Sequence, residues 1–219
     1  MLKAVIFDMD GLMFDTEALN AAAWKVAGQL HGFDITDEVI RGHIGTNLQT
    51  TKMLMQNHFG PQFDFDAVRA DRISHSMRYI EENGTPLKPG LRELLAYLNK
   101  NTIKTAIGTS TGEQFARFYL ERAGLGHEFD VIVCGDNVKK GKPEPDIFLA
   151  ALSGLGVLRD ECLVLEDSYN GITAAHRSGI RCVMIPDLLP PTPEIERLLF
   201  RKAGSLTDVI PIIESLLRY

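Results

Sequence analysis

Residues 2–11 read Leu2-Lys3-Ala4-Val5-Ile6-Phe7-Asp8-Met9-Asp10-Gly11, an apolar run that ends on two acids and a glycine. A short run of branched and aromatic residues without polar alternation fits a strand covered on both faces, as in a parallel sheet. Asp8 and Asp10 are spaced i, i+2, so in extended geometry both side chains leave the end of that strand in the same direction. Two like charges so close repel one another, and burying them adds a desolvation cost, so a cation or a proton must relieve them. Magnesium, a hard ion that takes oxygen ligands, suits such a pair. For an isolated Asp-x-Asp, an acidic turn in water is the simpler reading. A calcium-binding EF-hand loop opens the same way, but it requires glycine at its sixth position, where this chain has Met13.

Similar runs follow at 105–107, 131–134, 162–165 and 182–185, each of strand length and rich in Val, Ile and Leu. Helical patterns lie between them. Leu91, Leu94, Leu95 and Leu98 fall at i, i+3, i+4 and i+7. A second pattern runs from Gly112 to a stop at Gly124 with Phe115, Phe118 and Tyr119 inward, and a third opens at Pro145 and carries Ile147, Phe148, Ala151 and Leu152. A fourth runs over 169–178, where Gly179 offers a C-cap. Alternation of this kind predicts an α/β fold with a doubly wound, mainly parallel sheet and helices on both faces. The segment 16–87 breaks the rhythm: it has no strand-like run, but helical patterns at 19–30, 48–58 and 65–80. It reads as a helical domain inserted into a core made of 1–15 and 88–219. The insertion follows the carboxyl end of the first strand, where open α/β sheets bind ligands, a position suited to a lid.

Three further segments carry chemistry-bearing residues. Glu166 and Asp167 end the apolar run 162–165, and in a parallel sheet that end shares an edge with Asp8. Alone they would read as caps of the helix that follows; beside Asp8 and Asp10 they read as a second acidic pair able to hold a divalent ion with room for phosphate oxygens. Lys142 stands before Pro143-Glu144-Pro145, a stiff loop that would hold its ammonium in place; a fixed cation suits a transferring phosphoryl group. A surface lysine in a turn is the plain alternative. Thr109 and Ser110 follow the second strand and could grip phosphate oxygens together with backbone N–H groups, or simply cap a helix. The run 135–142 is no P-loop: five residues separate its glycines, and Pro143 stands where a magnesium-holding Ser or Thr would be.

The 219 residues are 45% hydrophobic and 24% charged, which excludes disordered and fibrous classes. A net charge of -6 leaves no basic footprint for nucleic acid, so no nucleic-acid partner is expected. No apolar run approaches the ~18–20 residues of a membrane span, so no membrane partner is expected either. The beginning lacks a small-residue cleavage site and reads as no signal peptide. Cys134, Cys162 and Cys182, odd in number and each beside an apolar run, read as buried free thiols of a cytoplasmic protein, taken here as a monomer.

In order, the segments FDMDGLMFDTE (7–17), IGTST (107–111), KGKPEPDIF (140–148) and LEDSYNG (165–171) resemble the motifs of the haloacid dehalogenase-like superfamily, in its branch with a helical cap after the first motif. The resemblance spans nearly the whole chain. It implies a Rossmann-like core with an inserted α-helical cap, and a magnesium-dependent phosphatase acting on a small phosphorylated metabolite, a sugar phosphate or nucleotide-like compound. It further implies Asp8 as nucleophile forming an aspartyl-phosphate, Asp10 as acid/base, and Thr109, Ser110 and Lys142 as phosphate holders. Asp167 would bind Mg2+ with the Asp8 carboxylate and the Asp10 carbonyl, and Glu166 would assist directly or through water. The presence of Asp10 speaks against dehalogenation, because the dehalogenating members lack that second acid. A β-phosphoglucomutase-like mutase is the alternative. Against it, Asn20 stands where such mutases carry a histidine, and Gly45-Thr46-Asn47-Leu48 replaces their arginine-containing segment. A receiver-like phospho-acceptor is disfavoured by chain order and by the size of the insertion. In the cap, Trp24, His43, Asn47, Arg72, His75 and Arg78 could face a substrate, though most polar residues on such helices simply meet water.

Overall fold

The structure is a computed structural model that describes residues 1–43 and 48–217. The chain divides into two compact units, one made of Met1–Asp15 with Thr85–Tyr219 and the other of Thr16–Gly84.

In the first unit β1 (Ala4–Phe7) opens the chain. The second unit holds α1 (Thr16–Leu30), α2 (Asp37–Arg41), α3 (Leu48–Phe59) and α4 (Phe65–Asn83). The first unit resumes with α5 (Leu91–Lys100), β2 (Lys104–Gly108), α6 (Glu113–Arg122), β3 (Val131–Val133) and α7 (Asp146–Leu155). It ends with β4 (Cys162–Glu166), α8 (Tyr169–Ser178), β5 (Arg181–Met184), α9 (Pro193–Glu196), β6 (Arg201–Lys202) and α10 (Val209–Leu217).

Among the described residues the strands form one parallel sheet of order β3-β2-β1-β4-β5-β6. β1 is therefore central, with Ile6 in register with Ala106 on one side and Val164 on the other. The chain winds outward through β2 and β3 and then crosses to β4, so the strand order reverses beside β1, the place where such sheets gather ligands. All four residues of β1 and all five of β4 are buried, the apolar run of β4 being closed by Glu166. On one face Ala4, Ile6, Ala106, Val164, Cys182 and Met184 pack with Phe148 and Ala151 of α7 and Ile172 and Ala175 of α8. The pleat turns Val5, Phe7, Ile107 and Leu165 to the other face, where Phe7 meets Phe129 edge-on at 5.8 Å. There α5, with Leu91, Leu94, Leu95 and Leu98 all buried, packs on β2, and α10 packs on α5.

Some local expectations need refinement. In α6 the buried residues are Ala116, Tyr119 and Leu120, while Phe115 and Phe118 are half-buried, because the buried stripe lies about one residue further round the helix. β6 is two exposed residues, too short to show a pattern. Gly179 does end α8 in the left-handed conformation, at φ 74°.

The second unit has its own core, in which Trp24, Ala27, Ile35, Ile40, Met55, Phe63, Phe65 and Val68 are buried together. Its longest elements, α1 and α4, pack along one another. Gly28 lets the chain fold back closely, since a Cβ there would lie 2.7 Å from Ile35. The segments that join the two units are themselves paired within the first. Phe14 bridges Leu87 antiparallel, Asp15 N–H donates to the Pro86 carbonyl at 2.9 Å, and Lys88 N–H donates to the Met13 carbonyl at 2.8 Å. No helix among the described residues is long and apolar enough to cross a membrane.

Candidate active site

Parallel pairing brings the carboxyl ends of β1, β2 and β4 to one edge, and the acids read from the sequence meet there. Asp8 directly follows β1, its N–H donating to the Leu165 carbonyl at 3.0 Å. Glu166 is the last residue of β4 and Asp167 comes next. Asp8, Glu166 and Asp167 each offer one carboxylate oxygen, and these oxygens lie within 4.8 Å of one another. Lys142, whose side chain is only 4% exposed, donates to Asp8 Oδ1 and to Glu166 Oε1 at 2.7 Å. Its ammonium also stands 4.8 Å from the Phe148 ring centroid, a cation–π contact supplied by the first turn of α7.

Glu166 is held at every oxygen. Its Oε2 accepts from the N–H groups of Asp167 (2.9 Å) and Ser168 (2.8 Å) and from the Ser168 hydroxyl (2.9 Å). Ser168 in turn caps α8 by accepting from the Gly171 N–H at 3.1 Å. The N-cap of α8 and the residue before it thus bind the carboxylate that anchors Lys142.

The electrostatics reflect crowding. Burial pushes the Asp8 carboxyl up to about 8, opposed by Lys142 and reinforced by Glu166. Burial, with Glu166 and Asp8 adding to it, raises Asp167 well above the carboxylate range. Burial works against the Lys142 ammonium, but Asp8 and Glu166 outweigh it and drive its pKa up. Asp167 Oδ1 is buried with no hydrogen-bond partner among the described residues. An orphaned buried oxygen among converging carboxylates, in a cluster made of oxygen donors, fits a hard divalent cation such as magnesium.

Of the other predicted residues in the first unit, Asp10 comes after β1, and Thr109 and Ser110 follow β2. Asp10 Oδ2 accepts from the Thr111 hydroxyl at 2.6 Å. Thr109 is buried, its hydroxyl accepting from the Thr111 N–H at 3.1 Å, whereas Ser110 is exposed. Of the residues considered in the helical unit, Trp24 belongs to that unit's core, with His43 edge-on to it at 6.1 Å. Arg72 lies 5.5 Å over the Trp24 ring and donates to Asn20 Oδ1 at 2.7 Å. His75 is half-buried and Arg78 exposed. Gly45, Thr46 and Asn47 fall outside the described residues.

Sequence reasoning missed Thr111, Gly171 and a fifth acid. Asp187 follows β5 closely, and its Oδ1 accepts from Lys88 at 2.6 Å. An acid closing an apolar run was the same signal that marked Asp8 and Glu166.

The sheet order agrees with comparison to known proteins: residues 5–185 match the family model of haloacid dehalogenase-like hydrolases. The chain belongs to that family. This hydrolase is 33% identical over 179 residues to the phosphorylated carbohydrates phosphatase of Thermotoga maritima, covering 82% of either chain. It is 30% identical over 200 residues to hexitol phosphatase A of Escherichia coli, covering 90% of each. It also superposes on the crystal structure of CbbY from Rhodobacter sphaeroides in complex with phosphate, with a TM-score of 0.79 and 26% identity over 95% of this chain and 96% of that one. The haloacid dehalogenase-like hydrolase described here is accordingly a phosphoric monoester hydrolase.

Proposed function

We propose that this hydrolase releases phosphate from a small phosphomonoester, a sugar phosphate or nucleotide-like metabolite, through an aspartyl-phosphate on Asp8, with magnesium as cofactor. The observation that carries the reading is the ion pair of Lys142 with Asp8 inside the cluster of Asp8, Glu166 and Asp167. The relatives' names, phosphatases of phosphorylated carbohydrates and of hexitols, support the substrate class.

In this reading an Asp8 carboxylate oxygen attacks phosphorus while the bond from phosphorus to the ester oxygen breaks. Asp10 gives its proton to the departing alcohol, then takes one from the water that attacks phosphorus, so inorganic phosphate leaves and both acids are restored. Lys142 fixes the orientation of Asp8 and sets positive charge beside the transferring group, and Glu166 fixes Lys142. Thr109 and Ser110 would bind phosphate oxygens with nearby N–H groups. Asp8 and Asp167, with the Asp10 carbonyl and Glu166 directly or through water, would hold magnesium, which when bound neutralises charge on the phosphoryl group. The buried cysteines support a reducing, cytoplasmic setting for this chemistry.

The test is magnesium-dependent hydrolysis of p-nitrophenyl phosphate, followed by a panel of phosphorylated metabolites, with Asp8→Asn as control. Inorganic phosphate is the expected product, and a phosphorylated isomer would show a mutase instead. Turnover that survives Asp8→Asn would remove Asp8 from the nucleophile's role.

A further inference from the structure

Beside the acidic cluster lies a second ionic arrangement that the proposed chemistry does not use. Lys88 donates to Asp187 Oδ1 at 2.6 Å and to Asp15 Oδ1 at 3.2 Å. The Asp187 side chain is 11% exposed, against 45% for Asp15, so the inner half of the arrangement is the drier one. Asp187 Oδ2 is buried and has no hydrogen-bond partner among the described residues, which is also the condition of Asp167 Oδ1.

Gly11 shows where these carboxylates point. A Cβ on Gly11 would lie 2.4 Å from Asp167 Oδ2 and 3.2 Å from Asp187 Oδ2, so both carboxylates border the same small space. Gly11 has φ 81°, a conformation that favours glycine, and the missing side chain leaves that space open. A buried acceptor without a donor is costly, and a fold that keeps two of them side by side has a use for donors there. Magnesium sheds its waters reluctantly and usually keeps several, each an O–H donor to a surrounding acceptor.

We propose that Asp187, anchored by Lys88, is a positioning carboxylate that accepts hydrogen bonds from the water shell of the magnesium held at Asp8 and Asp167. The inference rests on the magnesium reading of the site. Lys88 neutralises one oxygen of Asp187 and fixes its direction, leaving the other turned to the space over Gly11. Outer partners of this kind typically change metal affinity about 10–100-fold when removed.

The experiment titrates magnesium chloride into the full chain after treatment with EDTA and follows the rise in thermal unfolding temperature, with circular dichroism as the check on folding. Asp187→Asn is expected to raise the midpoint magnesium concentration about tenfold. Lys88→Gln, which frees Asp187 from its anchor, is expected to raise it as well. A variant that merely weakens the fold lowers the unfolding temperature with and without the ion and leaves the midpoint where it was. An unchanged midpoint in folded Asp187→Asn overturns the proposal. A lowered midpoint in Lys88→Gln also overturns it, because loss of a repelling positive charge alone would act in that direction. Where Asp187→Asn does not fold, Lys88→Gln decides the question by itself. A wild-type chain with no magnesium-dependent shift overturns the magnesium reading of the site and this proposal with it.

Discussion

Gly171 and Glu166 share a space that only one of them can fill: a Cβ on Gly171 would lie 1.5 Å from Glu166 Oε1 and 1.9 Å from its carboxyl carbon. Gly171 sits in the first turn of α8, where its N–H caps onto Ser168. The acid that binds Lys142 therefore occupies the place of a helix side chain.

Alanine for glycine inside a helix ordinarily stabilises by about 0.5–1 kcal/mol. Here Gly171→Ala must displace a buried carboxylate that accepts three hydrogen bonds and an ammonium, so the sign reverses. The expected result is a loss of about 1–3 kcal/mol in urea unfolding, as for an overpacked core, with a fall in turnover because Lys142 loses its anchor. A more stable, fully active variant would contradict this geometry.

Lys142→Met leaves two buried carboxylates, Asp8 and Glu166, without their common counter-charge. Breaking a buried pair from one side costs about 3–5 kcal/mol, and this loss is expected in chemical unfolding with EDTA present. Turnover should fall at least about a hundredfold, the scale for losing one preorganised charged donor.

The Thr111 hydroxyl donates to Asp10 Oδ2 at 2.6 Å. Thr111→Val keeps the shape and removes the donor, so the proposed acid/base is less well held. Turnover is expected to drop about tenfold, equivalent to roughly 1.4 kcal/mol, and Thr111→Ser should restore most of it. The ratio of initial rates at saturating substrate is the measurement.

The three thiols give a pH-dependent test. Burial pushes Cys134 up to about 11 and Cys162 up to about 12, and it raises Cys182 as well. The thiolate is the reactive form, so native protein at pH 8 should react with a disulfide reagent far more slowly than urea-unfolded protein, which should yield all three thiols. As pH rises above about 9, thiols of the unfolded chain ionise first while the native ones stay protonated. The unfolded state then binds fewer protons, and stability falls with pH in that range.

The fold was legible because its strands are buried on both faces and so appear as bare apolar runs, as 4–7 and 162–165 do. The acids were legible for a related reason, since a charge that abruptly ends such a run stands at the sheet's edge. Their meeting was not a local property: Asp8 reaches Glu166 and Asp167 only because β1 pairs with β4, a choice made by packing across the whole sheet. β6 could not be read, because two exposed residues carry no period, and α2, at five residues, barely shows one. Thr111 and Gly171 act through a single hydroxyl and through an empty space, neither of which leaves a pattern in residue type. Asp187 was legible and overlooked, since it stands just past an apolar run, two residues after Ile185.

The paired segments at Phe14 and Leu87 carry a consequence of their own. Where a chain departs and returns through adjacent, mutually bonded backbone, the residues between can be lengthened, swapped or cut away without re-threading the strands of the first unit. Replacing 16–84 with a tight turn should leave a smaller protein that still assembles its acidic edge. The unit that carries the acidic edge and the inserted unit are thus separable pieces of one polypeptide.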